Sequence, residues 1–221
     1  MGCVCPKPTA LTPIDVTTCP EEIGQFQRFI LCRAGVVRFD TVDPDVTGGS
    51  LPASIQGPLN YPTALAPWTI LEALATNDAV IFTPLIGGDP TITPGTEITQ
   101  GGGDNSTLNG EIYSNGFNPA DGAARFDSLT SEQTRQLKLL RCEKLEVFFI
   151  LDNGDILGER DTTNTDLWHG FPVKNFSIGG RSVQGTASRD GNGLTFQLDK
   201  DWDTKFEKQI PADFQALTVF S

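Results

Sequence analysis

The amino-acid sequence predicts a mainly β protein: an antiparallel β-sandwich or barrel with one flanking α-helix at about residues 129–141. Three observations carry this expectation. Glycine and proline are abundant, 23 and 15 of 221 residues, so turns punctuate the chain. Short runs with strand patterning recur between those turns. Leu145–Leu151 reads LEVFFIL, apolar enough to be buried on both faces. Asp152-Asn153-Gly154-Asp155 follows it, and its Asn-Gly pair tolerates the positive φ of a hairpin turn.

In chain order, residues 1–23 contain four prolines and no periodicity, which predicts an extended arm ordered by a neighbouring molecule. A first strand is expected at Gln27–Arg33. Residues 40–66 form a long stretch rich in Pro, Gly, Asp and Ser, too poor in apolar residues to fold alone. They read as an assembly loop reaching another subunit. A short helix is expected at about 67–75, with Pro67 in its first turn. Ala79–Ile86 reads as a strand and Gly87–Gly110 as turn-rich. Glu111–Ser114 and Ala123–Asp127 read as strands separated by the turn NGFNPADG.

The helix has the clearest start signal. Thr130-Ser131-Glu132-Gln133 fits a capping box, in which a hydroxyl and an amide three residues on satisfy free N–H groups. Leu129, Leu137 and Leu140, with Leu139, recur at helical spacing; Lys138 and Arg141 suit the C-terminal end. Beyond the hairpin, Phe171–Ile178 and Arg181–Ser188 read as strands broken at Gly179-Gly180. Asp190-Gly191-Asn192-Gly193 reads as a tight turn, and Leu194–Leu198 alternates cleanly. Asp199–Lys208 reads as a charged loop with a helical turn, and Phe214–Phe220 as a strand closing the sheet. The even patterning predicts a single domain over 1–221, without solenoid repeats.

Composition narrows the function. There are 28 acidic and 16 basic residues, for a net charge of −12. Such a chain is poorly suited to tight DNA binding, although DNA could move along it without sticking. The longest apolar run, about Val147–Leu151, is far below the ~20 residues that span a bilayer. The N-terminus lacks the apolar core of a signal peptide. Met1-Gly2-Cys3 fails as a myristoylation motif because Pro6 stands where Ser or Thr is needed. Five cysteines, an odd number without scaffold spacing, suit a reducing cytoplasm.

No catalytic, cofactor-binding or metal site is expected. Cys3, Cys5, Cys19 and Cys32 could supply four thiolates, but their gaps do not match zinc-ribbon spacings. Free thiols are expected, with Cys32 and Cys142 buried. Asp43-x-Asp45 and Asp199-x-Asp201-x-Asp203 resemble the start of a calcium loop without its closing Glu. Gly101-Gly102-Gly103-Asp104 lacks the Lys of a P-loop. His169 is the chain's one histidine, and no nucleophile motif accompanies it. Among 28 acids no glycosidase-like carboxylate pair stands out. Phe148, Phe149, Phe176 and Phe196 read as core, because the basic groove that accompanies base stacking is missing.

The order of sequence blocks carries a resemblance over about Gly24–Leu217. GQFQRFILCRAG is followed by PWTILEALATNDAVIFTPLI, ITQGGGDNSTLNG, LTSEQTRQLKLLRCEKLEVFFILDNGDILGE and LTFQLDKDWDTKF…PADFQAL. This resembles structural proteins of tailed phages and prophages of Bacteroidetes, of the major tail protein or tail tube type. The resemblance implies a virion structural protein with no enzyme activity and no cofactor, made in the host bacterial cytoplasm and residing in the tail. It implies self-assembly into stacked hexameric rings whose inner sheets line a channel for DNA ejection. Implied partners are the tape measure, baseplate, terminator and sheath proteins, with transient passage of DNA and no membrane. It also implies that helix Thr130–Arg141 shields the outer face of the sheet. Alternatives are a capsid decoration or head–tail connector subunit. A carbohydrate- or receptor-binding β-sandwich is a further one, and would need exposed aromatics such as Trp68, Trp168 and Trp202.

Overall fold

The computed structural model describes residues 23–41, 62–74, 79–102, 110–161, 163, 167–183 and 189–219. The arm at 1–22, with Cys3, Cys5 and Cys19, lies outside them, as do residues 42–61 of the long loop. The described residues are mainly antiparallel β with a few short helices. The chain divides into two compact units, Gly24–Gly95 with Pro119–Ser221, and Met1–Ile23 with Thr96–Asn118.

The larger unit is organised around β8 (Leu145–Leu151), in which all seven residues are buried. One edge of β8 pairs along its whole length with β1 (Phe26–Arg33), from Phe26↔Leu151 to Arg33↔Leu145. Its other edge is shared. Phe149 and Ile150 pair with β9 (Ile156–Arg160), while Leu145–Val147 pair with the start of β11 (Phe171–Ser182). β9 pairs in turn with β10 (Leu167–His169) and with β13 (Phe206–Gln209). β2 (Phe39–Asp40) adds to β10, and β3 (Ile81–Phe82) to β1.

β11 joins two layers. Past Val173 it leaves β8 and pairs with β12 (Gly191–Leu198), which pairs with β7 (Ala120–Asp127) and then β4 (Ile86–Thr93). The period of two along a strand explains how β8 is buried on both sides. Phe149 faces β7 and β12, where Phe29, Phe126 and Phe196 meet; Phe29 lies 5.4 Å from Phe149, 5.7 Å from Phe196 and 6.3 Å from Phe126 between ring centroids. Phe148 and Ile150 face the opposite way, into a second core with Phe39, Trp68, Leu71, Trp168 and Ala216. Full burial of each such side chain contributes about 1.5–3 kcal/mol, which is why β8 dominates the fold.

Two turns show the local chemistry. In the β8–β9 hairpin Gly154 has φ +91°. Asn153 Oδ1 accepts from the Asp155 N–H at 3.0 Å, an Asx turn that fixes the reversal. Gly122 sits directly across from Phe196, whose ring occupies the space a side chain would need.

The capping box is present. α2 (Ser131–Leu139) begins after Thr130, whose hydroxyl accepts from Gln133 N–H at 3.1 Å while Gln133 Oε1 accepts from Thr130 N–H at 2.9 Å. A 3₁₀ turn at Leu140–Cys142 extends it. Leu129 and Leu137 are buried, but Leu139 is 65% exposed and Cys142 is exposed, because both fall off the narrow apolar stripe. α2 does not shield the outer face of the β1–β8 sheet. α1 (Leu65–Ala73), through Trp68 and Leu71, and α3 (Ala216–Val219), through Ala216, bury that face.

Other boundaries differ from expectation. α1 starts at Leu65, inside the stretch that reads as loop. Ala79–Ile86 is not one strand but holds the two residues of β3 and the first of β4, because Thr83 leaves the ladder to bond Phe29 through both its hydroxyl and its backbone. Gly87–Gly110 is not simply turns, since β4 and a strand at Glu97–Gln100 lie in it. Gly179-Gly180 does not interrupt β11, where it forms a register shift against β12 between Ile178 and Arg181, and β12 begins at Gly191 inside the expected turn, where Ser182 on one edge and Asp127 on the other hold it extended. β7 starts at Ala120, three residues before the expected strand. Phe206–Gln209 is a strand within the expected loop, and the C-terminal segment forms α3 instead of a closing strand.

Candidate functional site

Where they are described, the candidate residues of the sequence have packing or hydrogen-bond partners. His169 is buried on β10, and its Nδ1 contacts the Gly170 carbonyl at 2.8 Å. It lies across the strand pair from Glu159, and its Nε2 is 4.0 Å from Asp161. Glu159 is buried with Lys205 Nζ at 3.7 Å; burial pushes its carboxyl above the ordinary glutamate range, while His169 and Lys205 oppose that shift. These groups tie β9 to its neighbours.

Asp199 pairs with Lys174 at 2.6 Å, and Asp201 caps the short 3₁₀ turn at Trp202–Thr204 through its carbonyl. No group of three or more His, Cys, Asp or Glu fit to hold a metal occurs among the described residues. Asp43, Asp45, Gly103 and Asp104 lie outside them. Cys32 is buried beside Glu146, and burial pushes its thiol far above the ordinary range, so it is inert. Arg38 forks onto Glu146 at 2.5 and 2.7 Å, and Glu146 also accepts from Gly35 N–H at 3.0 Å, which closes the turn between β1 and β2. Trp68 and Trp168 are 0% exposed and donate to the Pro62 and Glu207 carbonyls. They cannot form a sugar platform. Trp202 is half-buried against Phe171.

The unusual features of the molecule are its open surfaces. In the smaller unit, β5 (Glu97–Gln100) and β6 (Tyr113–Phe117) form a two-stranded hairpin. All four residues of β5 are exposed. Ile98, Ile112, Tyr113 and Phe117 are 43%, 68%, 51% and 53% exposed. Glu97 and Phe117 stand directly opposite and so share one face. Exposed apolar clusters of this kind mark contact surfaces.

In the larger unit, β4 and β13 each pair with one strand among the described residues, leaving their second edges open. β4 carries Pro90 and a register shift between Gly87 and Thr91, features that discourage indiscriminate edge pairing. A groove of about 900 Å³ lies between residues 81–87 and α2, with Ile81, Leu85, Leu137 and Leu140 along its apolar part and Arg28 and Arg189 among its polar residues. Sequence reasoning missed both hairpin and groove. The signal for β5 was the alternation around Ile98; its short length and the neighbouring glycines masked it. The groove joins segments about fifty residues apart and has no local signature.

Among the described residues no helix is long and apolar enough to cross a membrane. No family model matches the chain. No curated protein matches it either. Among solved structures, the chain aligns with one described as the tail of an empty GTA particle from helical refinement with C6 symmetry. The identity is 11%, the alignment covers 59% of this chain and 87% of that one, and the TM-score is 0.31, a value at which a common fold is not established.

Proposed function

We propose that this chain is a virion structural protein, the subunit of a phage tail tube, which assembles into stacked hexameric rings around a channel for DNA ejection. In this reading residues 1–221 act as one tail-tube-like subunit. The arm at 1–23 and the loop at 40–66 contact neighbouring subunits, and tape measure, baseplate and terminator proteins meet the tube at its ends. The chain performs no reaction of its own. The observation that carries the reading is the contrast between a doubly buried central strand and an apolar hairpin left exposed. A chain of this kind has a self-sufficient core and surfaces that other molecules complete. The block order of the sequence, the mainly β architecture and the open edges of β4 and β13 support the same reading. The net charge of −12 suits a conduit that DNA passes without adhering.

Electron microscopy of the purified protein, alone and with tail initiation complexes, tests the proposal. Rings or tubes with a central channel, six subunits around, are expected. A chain that stays monomeric under both conditions overturns it. Binding to intact capsids would then assign a decoration or connector role.

A further inference from the structure

The two layers joined by β11 differ on their far sides. Beyond β1 and β8, α1 and α3 bury the outer face. The layer of β11, β12, β7 and β4 packs Phe196, Leu198 and Phe126 inward and turns its other face to water. Strand register sets that face out in rows. Ser177, Thr195, Ala123 and Thr91 stand side by side across the four strands. Lys174, Gln197, Asp121 and Thr93 form the next row. Ser177 and Gln197 are half-buried and the other six are exposed.

The chemistry of these rows is that of a wall that grips nothing. Most of the side chains are short, being Thr, Ser or Ala, whereas α2 exposes the long Glu132, Arg135 and Lys138. The two basic residues that the register puts on this face are tied to acids. Lys174 Nζ lies 2.6 Å from Asp199, and Arg125 Nε lies 2.9 Å from Asp127. The amide donors are committed as well: Asn175 donates to Gln197, and Gln197 Nε2 donates to Asp121 Oδ1 at 2.8 Å. With Asp121, three acids stand against two bases, Lys174 and Arg125. A phosphate approaching this face meets hydroxyls and a weak negative field. It gains no cation that would displace its counterions.

Resting on the tube reading above, we propose that this face lines the channel, and that what it meets is the phosphate backbone of duplex DNA in passage. Four strands at ~4.8 Å spacing make the face ~19 Å wide, so six set side by side enclose a bore ~37 Å across between backbones. Side chains narrow that bore from all sides, which is why short ones at Thr91, Ala123 and Thr195 matter. Their hydroxyls and methyls keep the wall level, and the paired ions keep it from holding the strand that slides past.

Two measurements on tubes of the full chain test this. Helical reconstruction of parent tubes should put β12 and β7 at the inner wall, with Thr195 and Ala123 toward the axis. Thr195→Lys and Leu139→Lys then place the same added charge at two exposed sites, one on this face and one on α2. Both variants should keep the parent's circular dichroism spectrum. Thr195→Lys tubes should retain a fluorescent DNA duplex about tenfold more tightly than parent tubes, with a steep loss on adding salt, because every ring points its new cations at one duplex. Leu139→Lys tubes should retain it no better than the parent. Equal retention by the two variants, or a reconstruction with this face turned outward, overturns the lining and leaves the tube reading standing. If Thr195→Lys does not assemble, Ala123→Lys replaces it, and the parent reconstruction decides by itself. A parent chain that builds no tube even with tail initiation complexes overturns the lining together with the tube.

Discussion

Strand β8 and the β5–β6 hairpin are built from the same backbone pattern and face opposite conditions. β8 is covered on both faces and paired on both edges, and every residue in it is buried. Among the described residues the hairpin is paired on one edge of each strand, and β5 exposes every residue. Mean apolarity does not explain this, because Tyr113, Phe117, Ile98 and Ile112 are as apolar as many core residues. The difference is the number of surfaces that meet each strand. A side chain in β8 is removed from water by two packed layers; one in the hairpin keeps much of its surface in water. A change in β8 should therefore act on folding, and a change in the hairpin on association.

The comparison is broken most severely at Phe148. Phe148→Ala should cost about 3–5 kcal/mol in urea unfolding. Phe148→Asp, which places a carboxylate between Trp68 and Trp168, should abolish folding, read as loss of the native circular dichroism spectrum. A folded, soluble Phe148→Asp protein would show that β8 is not the organising strand.

Next is Glu146, on the same strand but held by charge. Its side chain is 3% exposed and that of Arg38 16%. Glu146→Ala leaves a largely buried guanidinium without its partner and should lower unfolding free energy by about 3–5 kcal/mol. A loss below 1 kcal/mol would mean that water reaches Arg38 freely.

The helix cap is smaller. Thr130→Ala removes one side of the capping box and should cost about 1 kcal/mol, a melting shift of a few degrees.

Glu159 gives a pH signature. Its carboxyl titrates above the ordinary 4.5 because it is buried, so the folded chain binds more protons than the unfolded one just above that pH. Stability contributed by this group is present at low pH and lost as pH rises through that interval. Glu159→Gln should remove the slope, gaining on the parent in thermal melts between acid and neutral pH. A parent and variant that run parallel would place Glu159 in solvent.

The smallest expected effect on folding is in the hairpin. Phe117→Ser should change the unfolding free energy of the monomer by no more than about 0.5 kcal/mol. A loss of several kcal/mol would put Phe117 in a core and erase the contrast with β8.

Much of the fold is legible in sequence wherever a signal is local. Thr130 and Gln133 are three residues apart, the helix cap spacing, and Asn153-Gly154 admits the positive φ that the turn needs. LEVFFIL has no polar face to give to water except at Glu146, which finds Arg38. Legibility failed where partners override local preference. Gly179-Gly180 and Gly191 look like breaks, yet the first is absorbed in β11 as a register shift and the second is held extended by strands on both its edges. Ala216–Val219 looks like a strand, but its place is over Trp68 and Ile150, where a short helix fills the second core.

The sequence by itself determined the mainly β class, the central hairpin, the capped helix and the acidic balance, because each depends on residues within a few positions of one another. Only the tertiary structure decided that β8 separates two cores, that α1 and α3 rather than α2 cover its outer side, and that a groove opens beside α2. Those outcomes depend on which of several similar apolar surfaces pack together. That choice is made by shape and by the total area removed from water, quantities that belong to no single stretch of chain.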